Sequence, residues 1–296
     1  MESGEYSTIQ YVEAEGMNQQ WTYTAEIQQF EQYLITEEKS AATMEKYLRD
    51  IRGFCSYLAG RLIRKEVTIA YKEHLTARYA PASVNSMLIA VNSFLRFIGL
   101  PDCCVRPLKI QRQIFCNEDK ELTKQELHQL LKAAGNTRLS LVIQTICGTG
   151  IRVSELQYVT AEAVQNGKAV VNCKNKTRVI FIPTSIQKLL KPYMKKNGIT
   201  AGAIFVTRSG KPLNRRNIWR DMKALCERAA VPPNKVFPHN LRHLFARTFY
   251  SMEKDIVRLA DLLGHSSINT TRIYTSETGG EHRLRLERVE KKLLMT

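Results

Sequence analysis

The sequence has no apolar run long enough to cross a bilayer, and its opening stretch, with Glu2, Glu5, Glu13 and Glu15, lacks the basic and apolar regions of a signal peptide. Neither an integral membrane protein nor an exported one is expected, and the expected compartment is the cytoplasm. The seven cysteines are an odd number, form no C-x-x-C pair and include the adjacent Cys103 and Cys104, which disfavours both a disulfide framework and a zinc ribbon. They read as reduced, mostly buried thiols. Acidic residues are scarce, 28 against 44 lysines and arginines. They do not gather into the cluster that a metal-dependent nuclease would need.

What is present is positive charge, a formal +16, on a chain of 296 residues that is 44% apolar. That length holds two domains with cores of their own, and that balance is the one of a soluble globular protein. The long-range positive field makes a polyanion the expected partner. Because Lys and Arg are interspersed with amphipathic helices in both halves rather than collected in a tail, a folded surface wrapping double-stranded DNA is favoured over a basic ribosomal or membrane-surface protein.

Residues 1–23 read as a polar tail, and residues 24–104 as a bundle of about four helices. Ile27, Phe30 and Leu34 share one helix face. Ser40 can cap a second helix carrying Tyr47, Ile51, Phe54 and Leu58, a third run covers Ile69–Tyr79, and a fourth opens at Pro81 and carries Val84, Leu88, Val91, Leu95 and Ile98. The outward faces hold Lys39, Lys46, Arg49, Arg52, Arg61, Arg64, Lys65, Lys72 and Arg78, a solvated face or a set of phosphate contacts. Between residues 105 and 121 the periodicity lapses and Arg106, Lys109 and Arg112 cluster, as in a basic linker.

A second domain, 122–296, opens at a capping box, Thr123 with Glu126, ahead of Leu127, Leu130 and Leu131. A mostly apolar helix over Leu139–Ile146 leads to Gly148 and Gly150, which are expected to break it and deliver Arg152 at the start of the next short helix, where it can meet a phosphate or pair with Glu155. Lys168–Cys173 and Arg178–Ile182 alternate as the strands of a β-hairpin, with Lys174 and Lys176 in the turn between them. A helix over Ser185–Lys195, a short strand at Ala203–Val206 and a helix capped by Asn214 follow. The expected fold class is mainly α with a small antiparallel β-sheet, in two domains: an N-terminal helical bundle and an α+β domain.

Three short patterns then fall within Phe237–Thr275: His239-Asn240-Leu241-Arg242-His243, Leu262-Leu263-Gly264-His265-Ser266 and Thr271-Arg272-Ile273-Tyr274. Singly, each has a bland reading. His239 and His243 are spaced like metal ligands, yet no Glu follows His239 and no third ligand follows downstream. His265 can be a cation at a helix C-terminus, and Tyr274 an ordinary half-buried aromatic. Together an Arg, two or three His and a Tyr are suited to hold a phosphate, shuttle protons and attack phosphorus without a metal.

In this order, GTGIRVSEL, the hairpin lysine, HNLRH, LLGHSS and TTRIYT resemble the boxes of the tyrosine recombinases, or phage integrase family. The resemblance covers both domains, 24–104 as a core-binding domain and 122–296 as the catalytic domain. It implies a two-domain DNA clamp and site-specific strand exchange through a 3′-phosphotyrosine, with no metal, ATP or other cofactor. Arg152 and Arg242 become the phosphate clamps, Lys174 the general acid with Lys176 as its competitor, His239 a proton acceptor, His265 a second phosphate-side group and Tyr274 the nucleophile. It also implies a homo-oligomer, a tetramer, on paired DNA sites, and accessory DNA-bending or directionality proteins as possible partners. The amphipathic run Glu281–Met295, after a hinge at Gly279-Gly280, is then expected to dock on a neighbouring subunit rather than fold back. A type IB topoisomerase, a catalytically silent DNA-binding protein and a metal-dependent nuclease are the competing readings.

Overall fold

The computed structural model of the chain describes residues 23–110, 118–173, 176–265, 267–274 and 279–294. By internal packing the chain divides into two units, Met1–Arg112 and Gln113–Thr296.

The first unit is built from α1 (Thr24–Thr36), α2 (Ala41–Leu58), α3 (Lys65–Thr76) and α4 (Pro81–Phe97). Residues spaced three and four apart on each helix supply the core: Phe30 and Leu34, Ile51, Phe54 and Leu58, and Val84, Leu88, Val91 and Leu95 are all buried. Phe30 meets Phe94 edge-to-face, centroids 5.4 Å apart. The third helix starts four residues before the expected Ile69 and stops at Thr76, because Thr68, Tyr71 and Leu75 form its buried face while Ile69 is exposed. Two asparagines two turns apart on α4 hold the chain that leaves the bundle. Asn92 exchanges hydrogen bonds with the backbone of Val105 (2.8 and 3.0 Å) and Asn85 with that of Leu108 (2.9 and 2.7 Å). Six of the nine basic residues that the sequence offers to phosphates have partners within the unit: Lys39 lies 3.9 Å from Glu37, Arg49 pairs with Asp50, Arg61 donates to the carbonyls of Tyr57 and Leu58, and the other three are lysines. Lys46 pairs with buried Asp50, Lys65 donates to the carbonyls of Asp102 and Cys104, and Lys72 donates to that of Arg106.

The second unit opens with α5 (Lys124–Ala134), whose capping box is complete: Thr123 Oγ1 accepts from Glu126 N and Glu126 accepts from Thr123 N. α6 (Arg138–Thr149) passes through Gly148 and ends at Gly150, so only one of the two glycines breaks the helix. A Cβ on Gly148 would lie 2.8 Å from Ile186 Cδ1, so that glycine serves close packing instead. A 3-10 turn (Val153–Tyr158) and α7 (Ala161–Asn166) precede β1 (Lys168–Cys173) and β2 (Lys176–Phe181), antiparallel with Val170 opposite Val179. Lys176 therefore stands in a strand, paired with Cys173, and not in the turn.

Next come α8 (Thr184–Lys196), α9 (Arg215–Lys223), α10 (Cys226–Ala229), α11 (Pro238–Glu253), α12 (Ile256–Leu263), α13 (Ile268–Thr271), a 3-10 turn over Arg272–Tyr274 and α14 (Gly279–Leu294). The strand expected at Ala203–Val206 is reduced to two isolated bridges, Thr160 to Ala203 and Val206 to Pro212. Proline has no N–H with which to extend a ladder. Ile143, Ile146, Leu190, Phe205 and Leu241 lie in the core on which α11 and α6 pack together. The expected break at Gly279-Gly280 is also absent: both glycines lie in the first turn of α14. No helix among the described residues is long and apolar enough to cross a membrane.

Candidate active site

α11 starts with proline in its first turn, which puts His239, Arg242 and His243 within its first two turns. Arg242 is 2% exposed. A guanidinium carries five donors, and burying them costs stability unless they are used. Nη1 donates to the carbonyl of Gly150 (2.7 Å), and Nη2 to that of Leu263 (2.8 Å) and to His265 Nε2 (3.0 Å). Those carbonyls close α6 and α12, so the cation rests on the negative ends of two helices rather than on a carboxylate. Gly150 can present its carbonyl because it adopts φ +66°, and any Cβ there would run into the Phe245 ring. Burial and the neighbouring Arg152 charge lower Arg242 to about 10, still protonated at neutral pH.

An arginine N–H can only donate, so His265 Nε2 is the acceptor and Nδ1–H donates to Thr271 Oγ1 (2.8 Å). His265 is thereby a fixed neutral tautomer. Burial, then Arg242, Arg152 and Arg178, push it down to about 4; burial, then His243 and the arginines, do the same to His239. Tyr274 is 3% exposed and packs with Ala246, Leu259 and Leu263. Its ring lies nearly parallel to that of His265 (5.8 Å, 13°) and receives His243 edge-on at 4.6 Å, and it stands close enough to Arg242 to interact with that charge. His243 in turn stands 4.5 Å from the His239 ring.

Arg152 caps the 3-10 turn and keeps 41% of its side chain exposed. It pairs with Glu155 at 3.0 Å and reaches the Gly264 carbonyl at 3.4 Å. Burial alone would raise Glu155, but the Arg152 N–H and the Arg178 charge overcome it and hold the carboxyl below its usual range. Arg178, on β2, pairs with the same carboxylate at 2.5 Å. Glu121 lies 3.6 Å from His243 and 3.5 Å from Arg247, and the contact with His243 leads the effects that hold its carboxyl below the usual range.

Five of the six residues singled out in the sequence, Arg152, His239, Arg242, His265 and Tyr274, thus converge, each feeling the charge, ring or hydrogen bond of another. Lys174 lies outside the described residues. Sequence reasoning named His243 only as a possible metal ligand and missed Arg178, Glu121 and Thr271. Arg178 carried a signal: period-2 alternation puts it on the buried face of β2 with Ile180, an odd place for a charge.

Residues 120–280 match the model of the phage integrase family, and residues 27–99 that of the phage integrase N-terminal SAM-like domain. Tyrosine recombinase XerA of Thermococcus kodakarensis is 31% identical over 264 residues, covering 85% of this chain and 90% of that protein. Among solved structures, lambda integrase (75–356) as a dimer bound to a COC′ core site aligns with TM-score 0.70 at 19% identity, over 86% of this chain and 95% of that one. Lambda integrase as a tetramer bound to a Holliday junction aligns at 0.69 and 18% identity, over 86% of this chain and 78% of that one. The family match over more than half of the chain, together with a relative that is similar along nearly its whole length, shows that this chain belongs to the phage integrase family, the tyrosine recombinases.

Proposed function

We propose that this chain, a tyrosine-type site-specific DNA recombinase by family, cleaves and rejoins duplex DNA by attack of Tyr274 on a backbone phosphate. The observation that carries this reading is the buried Tyr274, packed against the rings of His243 and His265 and close to an Arg242 that has no carboxylate partner among the described residues, beside a second, half-exposed Arg152. The Tyr274 oxygen bonds to phosphorus as the bond to the 5′ oxygen breaks. His239, neutral at pH 7, takes the phenol proton, and Lys174 protonates the leaving oxygen. Arg152 and Arg242 stabilise charge on the non-bridging oxygens, where preorganised donors act most strongly, and His265, on the phosphate side as a neutral group oriented by Thr271, accepts from Arg242 and holds that guanidinium in place. The 3′-phosphotyrosine keeps the energy of the broken bond for re-attack by another strand's 5′ hydroxyl, so no ATP is consumed.

The strand exchange we propose takes place in the cytoplasm, in integration or excision of a mobile element, with four copies of the chain on paired sites and with accessory DNA-bending or directionality proteins as further partners. Leu284, Leu286, Val289 and Leu293 of α14 are more than half exposed, an apolar stripe that supports docking on a second copy. The test of the chemistry is a nicked suicide duplex incubated with the unaltered chain and with Tyr274→Phe. The variant should bind like the parent, since no positive charge is lost, and give no covalent band on a denaturing gel. A covalent band persisting in the variant would remove Tyr274 as the nucleophile.

A further inference from the structure

Arg178 is a charged residue on the inner row of the hairpin, followed at alternate positions by the buried Ile180 and Ile182. Its guanidinium joins three parts of the unit. Nη2 donates to Glu155 Oε2 (2.5 Å), and Glu155 is also the carboxylate that holds Arg152. Nη1 donates to the Leu262 carbonyl at the end of α12 (2.6 Å), next to the Leu263 carbonyl that accepts from Arg242. The stem of Arg178 runs beneath Gly264, the residue before His265, where any Cβ would fall onto its Cδ. Nε is buried with no hydrogen-bond partner among the described residues, a cost that a site built only for stability would not retain.

We propose that Arg178 is a positioning residue for strand cleavage: it locks the hairpin that carries the general-acid lysine against the Arg152–Glu155 pair and against the Gly264–His265 turn. This rests on the reading that a hairpin lysine protonates the leaving 5′ oxygen. Arg178 touches no reacting atom. Its role is to fix the distance between the end of the site that donates a proton and the end that holds the phosphate. One guanidinium is suited to this because its planar fork serves two acceptors at a set angle, which a lysine ammonium does not.

The test uses the full chain and a duplex selected from randomised DNA by its covalent attachment to the unaltered protein, in two forms: one with the natural 5′ bridging oxygen and one with sulfur there, a leaving group that needs no proton. Arg178→Ala and Arg178→Lys should bind this duplex like the parent and cleave the oxygen form ~100-fold more slowly, the scale of a misplaced catalytic geometry. The sulfur form should recover at least about ten-fold of that loss in both variants, but none of it in Glu155→Gln, which loosens Arg152 and leaves the hairpin tied through Leu262. Unchanged cleavage in both variants, or equal slowing on both substrates, would overturn the proposal.

Lys174→Ala and Lys176→Ala are run beside them. Rescue of either one keeps the general acid on the hairpin and leaves the Arg178 result interpretable, whereas rescue of neither refutes the lysine reading instead. In that event hydrogen exchange decides. Faster exchange in Arg178→Ala confined to 168–181 and 262–265 upholds the lock, and exchange unchanged there, or raised throughout 118–294, refutes it.

Discussion

Both units bury charged side chains, and Asp50 of the first and Arg242 of the second are held in opposite ways. In the helical unit Asp50, 6% exposed, is matched by Lys46 at 2.7 Å and Arg49 at 3.0 Å, both from its own helix. In the second unit Arg242 is more deeply buried and meets only carbonyls and an imidazole, contributed by residues 21 to 92 positions away. A paired charge is spent on its partner, whereas a charge held by dipoles keeps its field for a ligand. Nearby, Arg152 and Arg178 share the single carboxylate of Glu155. Three guanidiniums with one carboxylate is an arrangement that lacks an anion, and in the function proposed above a DNA phosphate would supply it.

The contrast predicts where mutations act. Phe94→Ala removes the ring that packs on Phe30 and should cost the helical unit about 3–5 kcal/mol in urea denaturation, with hydrogen exchange confining the loss to α1–α4. Arg242→Ala should slow cleavage by about 3 kcal/mol or more and, by orphaning the Gly150 and Leu263 carbonyls, also cost about 1–3 kcal/mol of stability. Arg152→Ala should lose a similar rate with almost no change in melting, since its side chain is 41% exposed. Equal melting losses for the two arginines would erase the distinction between a buried and a presented cation. Gly264→Ala should destabilise by about 1–2 kcal/mol, because its φ of +64° is left-handed and the added Cβ meets Arg178.

A smaller effect separates the units by pH. His239 and His265 are lowered from 6.5 to about 4 in the folded chain, so the unfolded chain binds more protons below pH 6.5. Their contribution is therefore complete above pH 6.5 and is lost as pH falls through about 4. Melting temperature should drop over that window, and the drop should shrink in His239→Asn/His265→Asn. The smallest effect belongs to the exposed Arg52, Arg64 and Arg78 of the helical unit. Each alanine substitution should leave melting unchanged and reduce the salt slope of DNA binding by about 1 at most.

The same contrast explains what the sequence disclosed. The helical unit was legible because its core follows a 3.6-residue period, and so was the Thr123–Glu126 cap, which spans one turn. Ser40 does precede α2, but its hydroxyl meets Thr43 Oγ1 rather than a backbone N–H. The family boxes led to Arg152, Arg242, His265 and Tyr274. What holds those residues was not legible, because the Glu155–Arg178 pair spans 23 positions and the Glu121–His243 contact more than a hundred, and no periodicity encodes such distances. Gly148 misled for a related reason: its smallness answers to Ile186, a residue on another helix.

The central claim, that Tyr274 attacks DNA from an arginine-lined pocket without a metal, is tested most directly by mapping the covalent adduct. The full chain is trapped on a nicked suicide duplex in EDTA, digested with trypsin and nuclease, and the nucleotide-bearing peptide is sequenced by mass spectrometry. The account predicts a phosphotyrosyl linkage on the peptide that begins at Ile273, at Tyr274, in undiminished yield with EDTA. An adduct on any other residue, or one that forms only when a divalent metal is restored, would contradict it.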